Sequence, residues 1–517
     1  MFTDEKQSPF FPFGGECMNS TSVNASDRAI FWKSLKEMHA NTAEMPVYWE
    51  TIEPEEGKFD FSIVDTLLTE ARQNGMRLIL LWFATWKNGM MKYCPTWVKR
   101  QPDRFLRCMA HDGALITNLS AGCPANLEAD KNAFCRLMEY LHTHDHDGTV
   151  IAMQVENEAG MIGRVLRDYQ PCSAAQFQAG VPASIMHGLE TSDCALSRAW
   201  ADSGRPTGNW EQVFGDMASE YFSAWQVASY IDAITEAGKK VHYIPCFTNV
   251  WMDNVGFDMP GLDYPLGGAV SKVLDLWKWV TPNIDMICPD IYIRNKGKYD
   301  QVCEWYSRPD NPLMVPESDC RRGYENEVNM FSAIGAYRAV GYFAFGTEHI
   351  MNADGSLCPS YRGFVGSFRA LAAIAPLLAR MRGTDGIRTI RQADYTQEGV
   401  MHLNGYTLRL LYAYDRTDLW HNQLPYKDTA RGLVIQTSED EFYFVGTGYT
   451  ALLIPRHPSI PFENRVLERC IDYECVEEGY FNSEGEWIRT RIRTGDESDS
   501  GIWVHDDIGC VRVKLCL

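Results

Sequence analysis

The segment Gln154-Val155-Glu156-Asn157-Glu158-Ala159-Gly160 follows an apolar run, Val150 to Met153, and closes it with two carboxylates flanking an amide. A strand that buries both faces rarely ends in charge, because an unpaired buried carboxylate is costly. A second run, Pro312-Leu313-Met314-Val315-Pro316-Glu317, stops at a carboxylate in the same way. In barrels of alternating strands and helices, the carboxyl ends of the strands carry the active site. Two carboxyl groups from distant strands, meeting on that face, are the minimal equipment for glycoside hydrolysis. One protonates the leaving oxygen, and the other attacks the anomeric carbon or activates a water. The competing reading makes Glu158 a solvated strand end near the start of the next helix.

The elements that must position these acids alternate through roughly the first 380 residues. Such alternation argues for a parallel sheet with crossover helices. Strands are expected at Phe10 to Gly14 (ending at Gly15-Glu16), Met45 to Trp49, Arg77 to Phe83 and Val150 to Val155. Four more are expected at Val241 to Phe247, Ile284 to Pro289, Leu313 to Val315 and Tyr342 to Phe345. Between them, helical spacing marks Arg28 to Ala40, with Ile30, Leu35 and Met38 on one face and Ser26 or Asp27 as cap. It also marks Phe61 to Asn74, stopped by Gly75, then Lys131 to Thr143, Tyr221 to Ala237 and Ala269 to Val280. A further helix starts near Glu325 or Asn326 and runs to Val340, and Tyr361 to Arg380 closes the series. Eight strand-helix units predict an α/β fold, a (β/α)8 TIM barrel over residues 1–382. An insertion at about 160–220, rich in Gly, Ala, Ser and Pro, falls at the carboxyl end of a strand, where it would shape the active-site mouth. Residues 383–517 read as short strands between turns, a smaller all-β, sandwich-like domain.

Composition narrows the partners. At 517 residues the chain exceeds what one core usually supports. Its net charge of −20 disfavours nucleic acid and anionic membranes, and favours a neutral or weakly charged substrate. No run is long and apolar enough for a membrane span. Met1 to Gln7 show no basic region leading into an apolar stretch, so a cytoplasmic location is expected, with the 16 Cys as free thiols. Self-association into a homo-oligomer is left open. Cys94, Cys108, Cys123 and Cys135 are irregularly spaced, and His142-Thr143-His144-Asp145-His146-Asp147 reads as a surface turn on the face opposite the acids. No metal and no cofactor is expected.

With these residues in view, Gln154 to Gly160 resembles the fourth-strand signature of family 35 glycoside hydrolases, the β-galactosidases of the large retaining barrel clan. Trp49-Glu50-Thr51-Ile52-Glu53-Pro54-Glu55-Glu56-Gly57-Lys58-Phe59-Asp60-Phe61 is similar to that clan's segment after the second strand. Phe13-Gly14-Gly15-Glu16 and the small β domain resemble a bacterial branch of these enzymes. The resemblance implies that Glu158 is the acid/base, that Asn157 binds the sugar 2-hydroxyl, and that Glu317 is the nucleophile. It also exposes departures. A Cys-Ala-Glu-Trp run, whose Glu reads galactose, is matched here by Phe83-Ala84-Thr85-Trp86, and a sugar-reading Tyr is matched by Pro46. A hydroxyl in place of a charged acceptor removes a strong, orienting hydrogen bond. Modest or absent activity on simple β-galactosides is therefore expected, with some tolerance at the sugar 4-position, unless Glu16, Glu50 or Glu348 supplies the acceptor.

Glu16, Glu50, Thr85, Trp86, Asn88, Asn249, Trp251, Asp290, Tyr292 and Glu348 lie at or just past strand ends and are candidates for the remaining sugar contacts. The leading expectation is a retaining, exo-acting β-glycosidase that cleaves a terminal β-linked hexose. A β-glucosidase or a transglycosylase on the same machinery stands beside it. A non-catalytic sugar-binding barrel is the alternative of another class, and the presence of both Glu158 and Glu317 argues against it. A retaining enzyme requires the two carboxyl groups about 5–5.5 Å apart.

Overall fold

The structure, a computed structural model, describes residues 2, 8–163, 165–253, 258–321, 324–393, 396, 398–412, 429–455, 472–499, 501–504 and 509–516. Apart from Phe2, the Met1 to Gln7 stretch lies outside them. Seven strands form one curled parallel sheet. In chain order they are Phe13–Glu16, Thr42–Tyr48, Arg77–Phe83, Val150–Val155, Cys246–Val250, Met286–Pro289 and Tyr342–Phe345. The seventh barrel position is taken by residues 313–319. This segment makes only single bridges, Ile291 to Ser318 on one side and Val315 to Tyr342 and Asp319 to Phe345 on the other. These bridges close the ring into a (β/α)8 barrel, as the alternation predicts.

The period of two along the strands sorts side chains cleanly. Ile79, Leu81 and Phe83 join Tyr48, Phe247, Cys288, Met314 and Phe343 inside the barrel. Leu78, Leu80 and Trp82 face the helices, with Ala43, Met45 and Val47 of the neighbouring strand. Helix Ser62–Asn74 ends at Gly75 in the left-handed region (φ 67°), as expected. The first helix differs from its sequence reading. It spans Ala25–Glu37, begins at Asn24, and buries Arg28, Phe31, Trp32 and Leu35, so Ile30 is 42% exposed. The third helix starts earlier than expected, at Pro124, because proline suits a first helical turn. Helix Ala218–Val241 runs on through the start expected for the fifth strand, which is Cys246–Val250. The final barrel helix is two, Arg362–Ala372 and Ala375–Arg380. Helix Lys296–Tyr306, not anticipated, fills the crossover after the sixth strand. The insertion after Gly160 carries four short helices, from Pro171–Gln178 to Trp210–Phe214.

Beyond Arg380, a six-stranded and a four-stranded antiparallel sheet face each other. Val434, Phe442, Phe444, Val511 and Val513 of the first meet Leu408, Leu410, Ala451 and Leu453 of the second. The alternate residues Leu433, Ile435, Tyr443 and Val445 turn the other way and join the core of the barrel's helical layer. At that junction Arg431 pairs with Glu327, both buried, and Arg391 pairs with Asp300 at 2.7 Å. Removing one partner of a buried pair leaves an uncompensated charge, at a cost of about 3–5 kcal/mol. Arg431→Met is therefore expected to lower unfolding free energy by about that amount in urea denaturation followed by tryptophan emission. A change under about 1 kcal/mol would mean that the pair behaves as a solvated one.

Candidate active site

The fourth strand ends in an abrupt turn. Glu156 (φ 64°) and Glu158 (φ 45°) both adopt left-handed backbone conformations that cost non-glycine residues about 1–3 kcal/mol each. The turn breaks the strand's alternation and sends the two acids to opposite sides. Glu156 faces the helical layer, where its carboxyl accepts the backbone N–H groups of Thr85 (3.1 Å) and Trp86 (2.7 Å). Burial and neighbouring Asp130 hold its pKa well above the carboxylate range. Asp130, on helix Pro124–His144, also accepts from Trp82 Nε1 (2.9 Å), Thr85 Oγ1 (2.6 Å) and Tyr230 (3.2 Å). Glu156 therefore keeps the proton of this pair.

Glu158 turns the other way, into the mouth of the barrel, beside Asp290 and Glu317. One carboxylate oxygen from each of the three lies within 4.8 Å of the others. Glu317 is held by Tyr292, whose hydroxyl donates to Oε2 (2.6 Å), and by Asn249 Nδ2, which donates to Oε1 (3.1 Å). Asn157 Nδ2 donates to the same Oε1 at 3.4 Å. Asn249 also accepts the Glu158 N–H (2.8 Å) and donates to Asp290 (2.9 Å), so one amide fixes all three acids. Burial, then the charge of Glu317, pushes the Glu158 carboxyl up to about 8, with Lys87 opposing. Burial, Glu317 and Glu158 likewise raise Asp290. The result is an acid whose proton is held up to about 8, facing a second carboxyl group that three donors hold.

The other expected residues divide. Glu16 is buried, raised by desolvation and by Glu317, and its Oε1 has no protein partner. Asn249 and Tyr292 hold the acid pair directly. Thr85 does not join it: its hydroxyl is spent on Asp130, behind the barrel wall. Trp86 is buried edge-on against Tyr230. Asn88 (φ 54°) shapes the loop whose Gly89 N–H donates to the Glu158 carbonyl (2.9 Å). Glu50 pairs with Lys99 (3.0 Å) near the surface, apart from the acid pair. Trp251 is half-buried just beyond the fifth strand. Glu348 accepts from Met18 N–H (3.0 Å) and Thr21 (2.6 Å), holding the segment after the first strand.

Two residues the sequence reading passed over belong to the site. Lys87 is 3% exposed. Burial alone would lower its pKa, but Glu317, Glu16, Glu158 and Asp290 outweigh that and raise it. Its only sequence signal is its place between Trp86 and Asn88. Glu44 is buried inside the barrel with both carboxylate oxygens unpartnered, and burial and Glu317 raise it. An acid in the inward register of a strand was the available signal. Among the described residues, Glu158, Asp290 and Glu317 are the one group of three with the spacing of a cation site. Lys87 already supplies positive charge there, and protein donors occupy both oxygens of Glu317.

Residues 23–304 match the model of glycoside hydrolase family 42, described as beta-galactosidase. The chain belongs to that family, rather than to family 35, which the motifs resemble; the broader reading, a β-galactosidase family of the retaining barrel clan, stands. Glu158 lies inside the matched residues, and Glu317 just beyond them. Residues 364–505 match a family described as a domain of unknown function. A beta-galactosidase of Xanthomonas manihotis is 29% identical over 141 residues, 25% of this chain and 21% of that protein. The structure of a catalytic mutant of a GH42 beta-galactosidase from G. stearothermophilus aligns with a TM-score of 0.50 at 18% identity, covering 74% of this chain and 58% of that one. The catalytic domain of a Paenibacillus polymyxa beta-amylase aligns with a TM-score of 0.51 at 13% identity, over 69% and 97%. At these identities the structural likeness is one of fold. The chain thus spans about a fifth of the Xanthomonas relative's length and little more than half of the family 42 structure.

The raised Glu158 has a consequence for stability. Between the usual carboxylate range and about 8, the folded protein holds a proton that the unfolded chain has released, so this group's contribution falls as pH rises through that window. Glu158→Gln removes the ionisable group. The variant should therefore melt higher than the parent protein, by a margin that grows from pH 5 to pH 8. A margin independent of pH would contradict the raised pKa.

Proposed function

We propose that the protein is a retaining, exo-acting β-glycosidase acting on terminal β-linked hexose, with Glu158 as acid/base and Glu317 as nucleophile. The observation that carries this reading is the approach of the two carboxyl groups, whose nearest oxygens lie within 4.8 Å. An approach this near supports the about 5–5.5 Å separation of the carboxyl groups in retaining enzymes over the about 6.5–9.5 Å of inverting ones. In the first step Glu317 attacks the anomeric carbon while Glu158 gives its proton to the departing oxygen. In the second, Glu158, now a base, takes a proton from water as the glycosyl-enzyme ester is broken. Asn249 keeps Glu317 aimed throughout. Asn157 Oδ1 is buried without a protein partner, which supports a sugar hydroxyl as its ligand, the 2-hydroxyl by the family pattern. Membership of a β-galactosidase family makes β-galactosides the first substrates to try. No helix of the described residues is long and apolar enough to cross a membrane. The cysteines described are free thiols, which supports the cytoplasm as the place of action.

The two acids should fail differently. Glu317→Ala should form no covalent adduct with a 2-deoxy-2-fluoro glycoside, as read by intact-protein mass spectrometry. Glu158→Ala should lose about 10²–10⁴-fold more activity on a glycoside with an alcohol leaving group than on a 2,4-dinitrophenyl glycoside, which needs no protonation. Equal losses on both leaving groups would remove Glu158 from the acid role, and adduct formation in Glu317→Ala would remove Glu317 from the nucleophile role.

A further inference from the structure

The site is unevenly furnished around the barrel. Glu158, Asn249, Asp290, Tyr292 and Glu317 all come from the fourth to seventh strand positions, so the anomeric carbon belongs on that half of the mouth. The opposite half, above the first three strands, presents Lys87 and Glu16. Lys87 leaves the third strand four residues after Phe83, and its ammonium sits 4.5 Å from the centre of the Phe83 ring. It lies within electrostatic reach of Glu317, Glu16, Glu158 and Asp290, yet no hydrogen bond or ion pair ties it to any of them. A buried ammonium carries three donors, and leaving them unmet is costly. Glu16, at the end of the first strand, offers the complement, a buried carboxyl oxygen without a protein partner. A free donor and a free acceptor on the same half of the barrel mouth suit a sugar edge, where each hydroxyl both gives and accepts a hydrogen bond. Thr85, the sequence counterpart of a galactose-reading acid, cannot serve, because its hydroxyl is committed to Asp130.

We propose that Lys87, together with Glu16, binds the 3- and 4-hydroxyls of the sugar, at the end of the ring remote from the bond that breaks, and so sets which hexose the enzyme accepts. This rests on the glycosidase reading above. The ring, with its anomeric carbon between Glu158 and Glu317, extends across the barrel axis and brings those hydroxyls to the first three strands. Lys87 thus restores, with a cation two residues further along, the charged hydrogen bond that the Thr85 position lacks. A charged donor to a substrate hydroxyl contributes enough that its loss costs about 10²-fold.

The test pairs variants with substrates that lack one hydroxyl at a time. With 4-nitrophenyl β-galactoside and β-glucoside, Lys87→Met should lower kcat/KM by about 10²-fold. With the 3-deoxy or 4-deoxy analogue the same variant should lose only a few fold, since the contact is already absent. With the 6-deoxy analogue the full loss should return. Glu16→Gln should show the same pattern, and Lys87→Arg should recover part of the activity. Equal losses on every analogue would overturn the proposal and leave Lys87 as a purely electrostatic neighbour of Glu158. If the parent protein turns over no β-glycoside, the reaction assigned above fails instead. The binding proposal is then read by calorimetric titration of galactose and 4-deoxygalactose into the parent protein and Lys87→Met. Preference for galactose that vanishes in the variant supports it, and unchanged preference, or no binding by the parent protein, overturns it. Far-UV circular dichroism and the melting point of Lys87→Met and Lys87→Arg separate a lost contact from a lost fold.

Discussion

The carboxyl of Glu156 holds the mouth of this barrel together. It takes the N–H groups of Thr85 and Trp86 and keeps its proton beside Asp130 on the helical layer. Two connections that would otherwise move independently are thereby fastened: the loop after the third strand, which carries Lys87, and the turn after the fourth, which carries Asn157 and Glu158. Asn118 adds a second fastening by donating to the carbonyls of Gly89 and Gly160 at 2.7 and 2.9 Å. A catalytic acid must be held to within a fraction of an ångström, and its support matters as much as its identity. Here that support comes from polar groups set behind the barrel wall, among them Asp130 on helix Pro124–His144.

The acids themselves were legible because charge at the end of an apolar strand has few cheap explanations. The strands of the barrel were legible for the same reason: Arg77–Phe83 and Val150–Val155 are so apolar that no other element fits. Positions that depend on a turn were not. Glu156 and Glu158 are spaced like two residues on one face of a strand, and only the left-handed backbone at both separates an acid behind the barrel wall from one at the mouth. Thr85 and Lys87 show the same limit. Their neighbourhood marks the site, but which of them faces the cavity depends on how the loop is tethered. In the β domain, strand Asp472–Phe481 escaped notice because its Glu477 and Glu478 look like loop residues. In the sheet they lie beside Arg489, Arg491, Arg493 and Arg512, and an ion-pair ladder replaces apolar alternation.

Gathering Glu16, Glu44, Asp290 and Glu158 in one buried space works against folding at neutral pH. Each is pushed toward its neutral form by burial and by Glu317. A single cation among them offsets only part of that cost. The site is therefore a store of unfavourable electrostatics, kept in place by the apolar wall of the barrel and by the outer contacts that keep the wall closed. The raised pKa and the cost have a common source here, since the field that keeps the proton on Glu158 is the field that makes the cluster expensive.

The six-stranded sheet has a consequence for how this chain can be divided. Leu433, Ile435, Tyr443 and Val445 belong to the barrel's core, while Val434, Phe442 and Phe444, on the same strands, belong to the sandwich. That sheet is a party wall owned by two houses. A chain cut after the barrel helices would leave their outer surface bare and apolar, with Glu327 deprived of Arg431. The sandwich expressed alone would present the other half of the same greasy face. Neither half is a ready-made module, and shuffling this barrel onto a different appendage would require a replacement wall with the same pattern of alternation.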